Sequence, residues 1–140
     1  IKQKILINTE KLQDRQPIKK DKVFVPFLPE NEIHEIGLLY INYEITLRGY
    51  KSIYLGQTVP LEPLHAVMKY FDNLYFLSYF TVVPSKDKIA KYINDFSRMF
   101  KGYDNPNLWV LGHQTQHLDK NDLPHFVRTF NSIEQVLSEL

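Results

Sequence analysis

The run Glu32-Ile33-His34-Glu35-Ile36-Gly37 sets an acid two residues before a histidine and a glycine three residues after it. An imidazole can ligate a metal or carry a proton, and a carboxylate on its other nitrogen fixes the tautomer and raises its basicity. This chemistry would suit ligation of a metal or of a cofactor that carries one. Three set positions recur by chance, so their weight depends on the spacing to residues further along the chain. Forty residues separate Gly37 from Ser78, in Leu77-Ser78-Tyr79-Phe80, and 31 separate Phe80 from Gly112. Each residue also has a plainer reading. His34 can be an exposed polar side chain, Glu32 an acid near a helix N-terminus, Ser78 a small residue under a loop, and Gly112 a strand terminator.

These residues need strands and helices to bring them together. Residues 1 to 15 have loosely helical apolar spacing, and the polar stretch Asp14 to Lys22, with Pro17, reads as a linker. The apolar run Val23 to Leu28 predicts a first strand buried on both faces. From Ile33 to Arg48 apolar residues recur every three or four positions and Gly49 follows, which predicts a helix. The same reading predicts strands at 52–55 (ending at Gly56), 74–80, 108–111 and 126–130, and helices at 60–71, 86–100 and 132–140. Ser132 and Gln135 are spaced as a capping box. Strand and helix alternate, so the expected fold is α/β: a three-layer doubly wound, Rossmann-like or flavodoxin-like, five-stranded parallel sheet. Glu32, Ser78 and Gly112 then stand at strand ends along its carboxyl edge, where such folds bind ligands.

Composition narrows the function. The chain has 140 residues and no cysteine, which excludes disulfides and thiolate metal sites. No apolar run suggests a membrane span and no signal peptide is visible, so a cytoplasmic protein without a membrane partner is expected; a chain opening on Ile1 reads as a piece of a longer one. The net charge is +1, but residues 1 to 22 hold seven basic and three acidic side chains, which leaves the rest acidic. The folded part is not expected to bind nucleic acid by itself.

Several chemistries of this fold class are also absent. A phosphate-acceptor receiver would need acids after the first strand, a dinucleotide binder a glycine-rich turn there, and a serine hydrolase glycines around Ser78. None is present, and no catalytic residue is expected. His113 and His117 would share one face if helical, as a metal pair without an obvious third ligand. Tyr40, Tyr43, Tyr75, Tyr79 and Tyr103 are many for burial alone, and some are expected to face a partner.

Glu32-x-His34-x-x-Gly37, Tyr54-Leu55-Gly56 with Val59-Pro60-Leu61-Glu62-Pro63-Leu64, Ser78-x-Phe80 and Leu111-Gly112 together resemble the cobalamin-binding domain family. The likeness covers residues 22–140, leaving 1–21 as the end of an upstream helix and a linker. Within the family, the chain is most similar to the C-terminal sensor domain of MerR-type, light- and cobalamin-responsive transcriptional regulators, which tend to have Glu where the mutases have Asp.

The resemblance implies that His34 is the lower axial ligand of cobalt, replacing the cofactor's own base, with Glu32 on its other nitrogen. It implies that Gly37 lets the helix start approach the cofactor and that Ser78 hydrogen-bonds the displaced nucleotide tail. Gly112 would leave room for that tail, and Gly56 would border the crevice. The chain departs from the family pattern at Phe80, where Leu or Thr is usual, and at His113, where a second glycine is usual. Only residues 1–15 could belong to the helical bundle that precedes the domain in the family. The implied function is a sensor for adenosylcobalamin or methylcobalamin, not an enzyme. Its ligand would control homo-oligomerisation and the DNA binding of an N-terminal winged-helix domain outside this chain. A relative that kept the fold as a dimerisation or interaction module without cofactor is the alternative.

Overall fold

Val23 to Leu28 lies at the centre of the molecule, and Phe24 through Pro29 are buried, as a two-faced strand requires. The computed structural model describes residues 1–13 and 17–140. Helix α1 (Lys2–Gln13) leads to strand β1 (Lys19–Pro29), then α2 (Ile36–Leu47), β2 (Tyr50–Ser52), β3 (Gly56–Val59), α3 (Leu61–Met68) and β4 (Leu74–Tyr79). Helix α4 (Ile89–Phe100), β5 (Asn107–Leu111), a 3-10 turn (His113–His117), β6 (Val127–Thr129) and α5 (Ile133–Leu137) complete the chain.

All strand pairs are parallel, in the order β2-β1-β4-β5-β6, with β3 also on β1. The strand predicted at 52–55 falls mostly between β2 and β3, which flank it on either side. Between them Ile53 and Leu55 still donate to the carbonyls of Phe24 and Pro26, and Gly56 opens β3 at φ +84° instead of ending a strand. Five parallel strand positions with helices on both faces are the predicted doubly wound fold.

Alternation along the strands sends residues to two cores. Val25, Phe27, Phe76 and Phe80 pack with Leu64 of α3 and with Ile89, Ile93, Phe96 and Phe100 of α4. Phe24, Leu77, Trp109 and Phe130 pack on the other face with Ile41 and Ile45 of α2 and Val136 of α5. α2 is apolar almost all round because the sheet covers one side and α1 packs along another. Among the described residues no helix is long and apolar enough to cross a membrane.

Two element starts and one cap differ from prediction for local reasons. β1 begins at Lys19, inside the stretch expected to be a linker, where Ile18 and Lys19 donate to the Gly49 carbonyl; residues 14–16 of that stretch lie outside the described residues. α2 begins at Ile36 instead of Ile33 because the Glu32 carboxylate takes the N–H groups of Ile33 and His34 and turns the chain there. At α5, Ser132 caps Gln135 as expected, but the Gln135 side chain accepts from Asn131 instead of Ser132.

Tyr92 of α4 sets its ring edge-on to Phe80 and Phe96, yet its buried hydroxyl has no hydrogen-bond partner among the described residues. An unpaired buried hydroxyl costs roughly 1–3 kcal/mol. Tyr92→Phe keeps the ring contacts and removes that cost, so it is expected to raise stability by about 1 kcal/mol and the melting temperature by about 3 °C. Loss of stability in a thermal melt would contradict this assignment.

Candidate functional site

Strand order reverses direction at β1, whose neighbours are β2 and β3 on one side and β4 on the other. In doubly wound sheets the crevice forms at that point, beyond the carboxyl ends of the strands. The loop after β1 carries Glu32 and His34, and the loop after β4 carries Val82 and Val83.

Glu32 joins the two loops. Its side chain is 1% exposed. Oε1 accepts the N–H groups of Val82 (2.6 Å) and Val83 (3.0 Å); Oε2 accepts those of Ile33 (2.9 Å) and His34 (3.1 Å) and lies 2.8 Å from His34 Nδ1. Burial alone pushes this carboxyl up, but the Val82 N–H, the His34 ring, and the Val83 and His34 N–H groups together bring it down to about 2. Glu32 is therefore ionised at neutral pH and can only accept, so His34 Nδ1 carries the proton. In the neutral form of the ring this leaves Nε2 as the lone pair. The His34 side chain is 57% exposed, and Ile33 and Val82 of the same two loops and Ile36 at the start of α2 are exposed by 63%, 53% and 55%.

Further contacts hold the loops. Asn31 donates its N–H to Thr58 Oγ1 at 2.9 Å, and both residues have positive φ, +74° and +50°. A β-branched residue in that region is strained and marks a backbone dictated by its surroundings. Glu35 Oε1 pairs with Lys2 of α1 at 3.1 Å, and Oε2 accepts the Tyr54 hydroxyl. Burial first, then Glu35, pushes that hydroxyl above its usual range, so it stays a donor. Gln114 donates to the Val82 carbonyl at 2.7 Å and ties in the segment after β5.

Glu32 and His34 thus stand together with Gly37 at the start of α2. Gly56 faces the same region, since a Cβ there would meet Glu35 Oε2 at 3.4 Å. Ser78 is fully buried and donates to the Phe27 carbonyl at 2.7 Å, bridging β4 to β1. Phe80 is also fully buried, with its ring in the core beneath α4. Gly112 has φ +112°, and a Cβ there would lie 2.5 Å from the Phe80 carbonyl oxygen. His113 is exposed, with Nε2 2.8 Å from Gln116 Nε2. The His113 and His117 pair does not form one face, because in a 3-10 turn residues eclipse at i and i+3. Among the described residues no three His, Cys, Asp or Glu side chains cluster to hold a metal ion.

Two parts of the site escape sequence reasoning. Val82 and Val83 contribute backbone N–H groups, which side-chain patterns cannot reveal. Tyr79 looks in the sequence like one of many tyrosines. A Cβ on Gly37 would meet its ring at 2.7 Å, so Tyr79 lies against the start of α2. Tyr79 also lines a cleft of about 460 Å³ with Leu111, Gly112, Phe130 and Asn131.

No protein-family model matches the sequence, and no curated protein matches it significantly. Solved structures do match. The monomethylamine corrinoid protein of Methanosarcina barkeri superposes with a TM-score of 0.69 at 14% identity, over 96% of this chain and 63% of that one. A chain of the methanol:cobalamin methyltransferase complex MtaBC from the same organism gives 0.62 at 16% identity, over 86% and 45%. A novel cobalamin-binding protein from Desulfitobacterium hafniense DCB-2 gives 0.61 at 12% identity, over 96% and 65%. The fold is that of these corrinoid- and cobalamin-binding proteins. The chain spans about half to two thirds of their lengths.

This geometry makes two outcomes testable. Ionised Glu32 stabilises the fold fully above its unfolded value of 4.5, and that contribution, about 3 kcal/mol, is lost as pH falls towards about 2. Denaturant unfolding of the wild type should therefore lose stability between about pH 5 and pH 3, while Glu32→Gln is less stable at neutral pH and flatter across that interval. Parallel curves would contradict the assignment. Gly112→Ala, facing backbone at positive φ, should cost about 3 kcal/mol or more, whereas Gly37→Ala should cost about 1 kcal/mol and nothing in a Tyr79→Ala background. Equal costs at both glycines would contradict it.

Proposed function

We propose that this domain binds a corrinoid through His34 Nε2 as the lower axial ligand of cobalt. On this reading it is the ligand-sensing part of a MerR-type transcriptional regulator. The observation that carries the proposal is the buried, ionised Glu32 holding His34 Nδ1 at 2.8 Å, which leaves Nε2 free at the carboxyl edge of the sheet. A rigid, tautomer-fixed imidazole is what a metal ligand requires. The exposed aliphatic side chains of Ile33, Ile36 and Val82, on the same two loops and the start of α2, suit a large, partly apolar macrocycle.

A bound corrinoid would supply a cobalt ion with an exchangeable upper ligand, adenosyl or methyl among them. The chain's own residues orient the imidazole, keep its Nδ1 protonated and clamp the loops after β1 and β4 around it. No residue of the chain is assigned a catalytic role. Glu32, where the mutases have Asp, favours a regulator over an enzyme subunit. Output would come from a change in homo-oligomeric state that alters DNA binding by a winged-helix domain outside this chain, in the cytoplasm. The structural neighbours named for methyltransferase systems support a methyl-carrying subunit as a different use of the same ligation.

A cofactor-free interaction module is the second reading, favoured by Tyr79 and Phe80 filling the space beside Gly37 and Gly112. Visible absorption titration with hydroxo-, methyl- and adenosylcobalamin, followed by desalting, separates the two. The proposal expects retained cofactor with a base-off, His-ligated spectrum that disappears in His34→Ala. No retention by the wild type of these cobalamins or of cobinamide would support the interaction module instead.

A further inference from the structure

The ligand site has two halves that fit a cobalamin unequally. Glu32 and His34 present a metal ligand, but beside Gly37 and Gly112, where the resemblance implies close approach of the cofactor and room for its tail, Tyr79 and Phe80 of the chain itself lie close. Beside Gly37, a single added carbon would lie 2.7, 3.1 and 3.4 Å from Cε2, Cδ2 and Cζ of Tyr79, so the ring rests directly on the helix start. Beside Gly112, an added carbon would lie 2.5, 2.7 and 2.8 Å from the O, C and N atoms of Phe80. Both glycines are thus explained by close approach of the protein's own Tyr79-Phe80 segment.

The two obstructions differ in kind. Phe80 approaches with backbone, which its N–H to Leu111 (2.7 Å) and its carbonyl from Gln114 (3.0 Å) hold in place. Tyr79 approaches with a side chain that is partly buried and packs against the α2 and α5 core. A rotamer change can move a side chain but not a strand. Tyr79 also lines the cleft bounded by Leu111, Gly112, Phe130 and Asn131, which offers the ring space to move into.

We infer that Tyr79 acts as a specificity gate, admitting corrinoids without a lower nucleotide, such as cobinamide, more readily than complete cobalamins. The inference rests on the proposed ligation by His34. A corrinoid without the tail reaches the exposed imidazole without displacing Tyr79. One with the tail must either expel the ring from its packing or leave the nucleotide in solvent.

Absorption titrations with aquocobinamide and aquocobalamin on the wild type, Tyr79→Phe, Tyr79→Ala and His34→Ala test this. Cobinamide has no base to displace, so the ratio of the two dissociation constants is compared between proteins and not read from the wild type alone. The wild type and Tyr79→Phe should favour cobinamide. Tyr79→Ala should narrow the ratio by about tenfold, equivalent to about 1.4 kcal/mol, by tightening cobalamin and leaving cobinamide nearly unchanged. His34→Ala should weaken both ligands together. Tighter binding of cobalamin than cobinamide by the wild type would overturn the gate, as would an unchanged ratio in a folded Tyr79→Ala. Binding of both by the wild type with either result upholds the ligation and rejects only the gate, whereas binding of neither rejects the ligation and the gate with it.

Discussion

A carboxylate buried to 1% exposure is stable only if something replaces its water, and at Glu32 five N–H groups do so. Four come from the backbone of the two loops that meet at the point where the sheet reverses its winding. The fifth is the His34 ring. One ion therefore closes the loop after β1 onto the loop after β4, delays the start of α2 to Ile36 and sets the tautomer of the imidazole. The remaining local features, including the left-handed Asn31 and Thr58 and the Lys2-Glu35-Tyr54 chain, support the same loop from outside.

Much of the frame is readable from sequence because it rests on periodicity. The apolar run 23–28 and the stripe of Ile89, Ile93, Phe96 and Phe100 each state which faces are buried, and alternation of strand and helix states the topology; the spacing in α2 states the helix but not its buried face, since Ile36, Tyr40 and Leu47 are exposed while Leu38, Ile41 and Ile45 are buried. Gly56 misleads because a glycine inside a pattern signals either an end or a local bend, and here it is a bend where β3 opens. Lys19 to Lys22 mislead because an exposed start of a strand looks like a linker.

The site is legible as far as side-chain types reveal it. Glu32 and His34 are adjacent in sequence and in space, so their pairing can be expected from a separation of two residues. What completes the Glu32 shell is backbone from Val82 and Val83, about fifty residues away, and backbone has no sequence signature. The glycines suggest room for a ligand, yet Gly112 is required by φ +112° and the Phe80 backbone, and Gly37 by the Tyr79 ring. A missing Cβ records that something comes close without saying what it is.

The central claim is that Glu32 fixes His34 with its proton on Nδ1 and a free Nε2. Nitrogen-15 NMR of the ring, recorded at about pH 9 where an ordinary imidazole is neutral, reads this directly in the ligand-free protein. The account predicts a protonated Nδ1 and an unprotonated Nε2 in the wild type, with loss of that bias in Glu32→Ala or Glu32→Gln. A ring protonated at Nε2, or one exchanging freely between tautomers in the wild type, would contradict it.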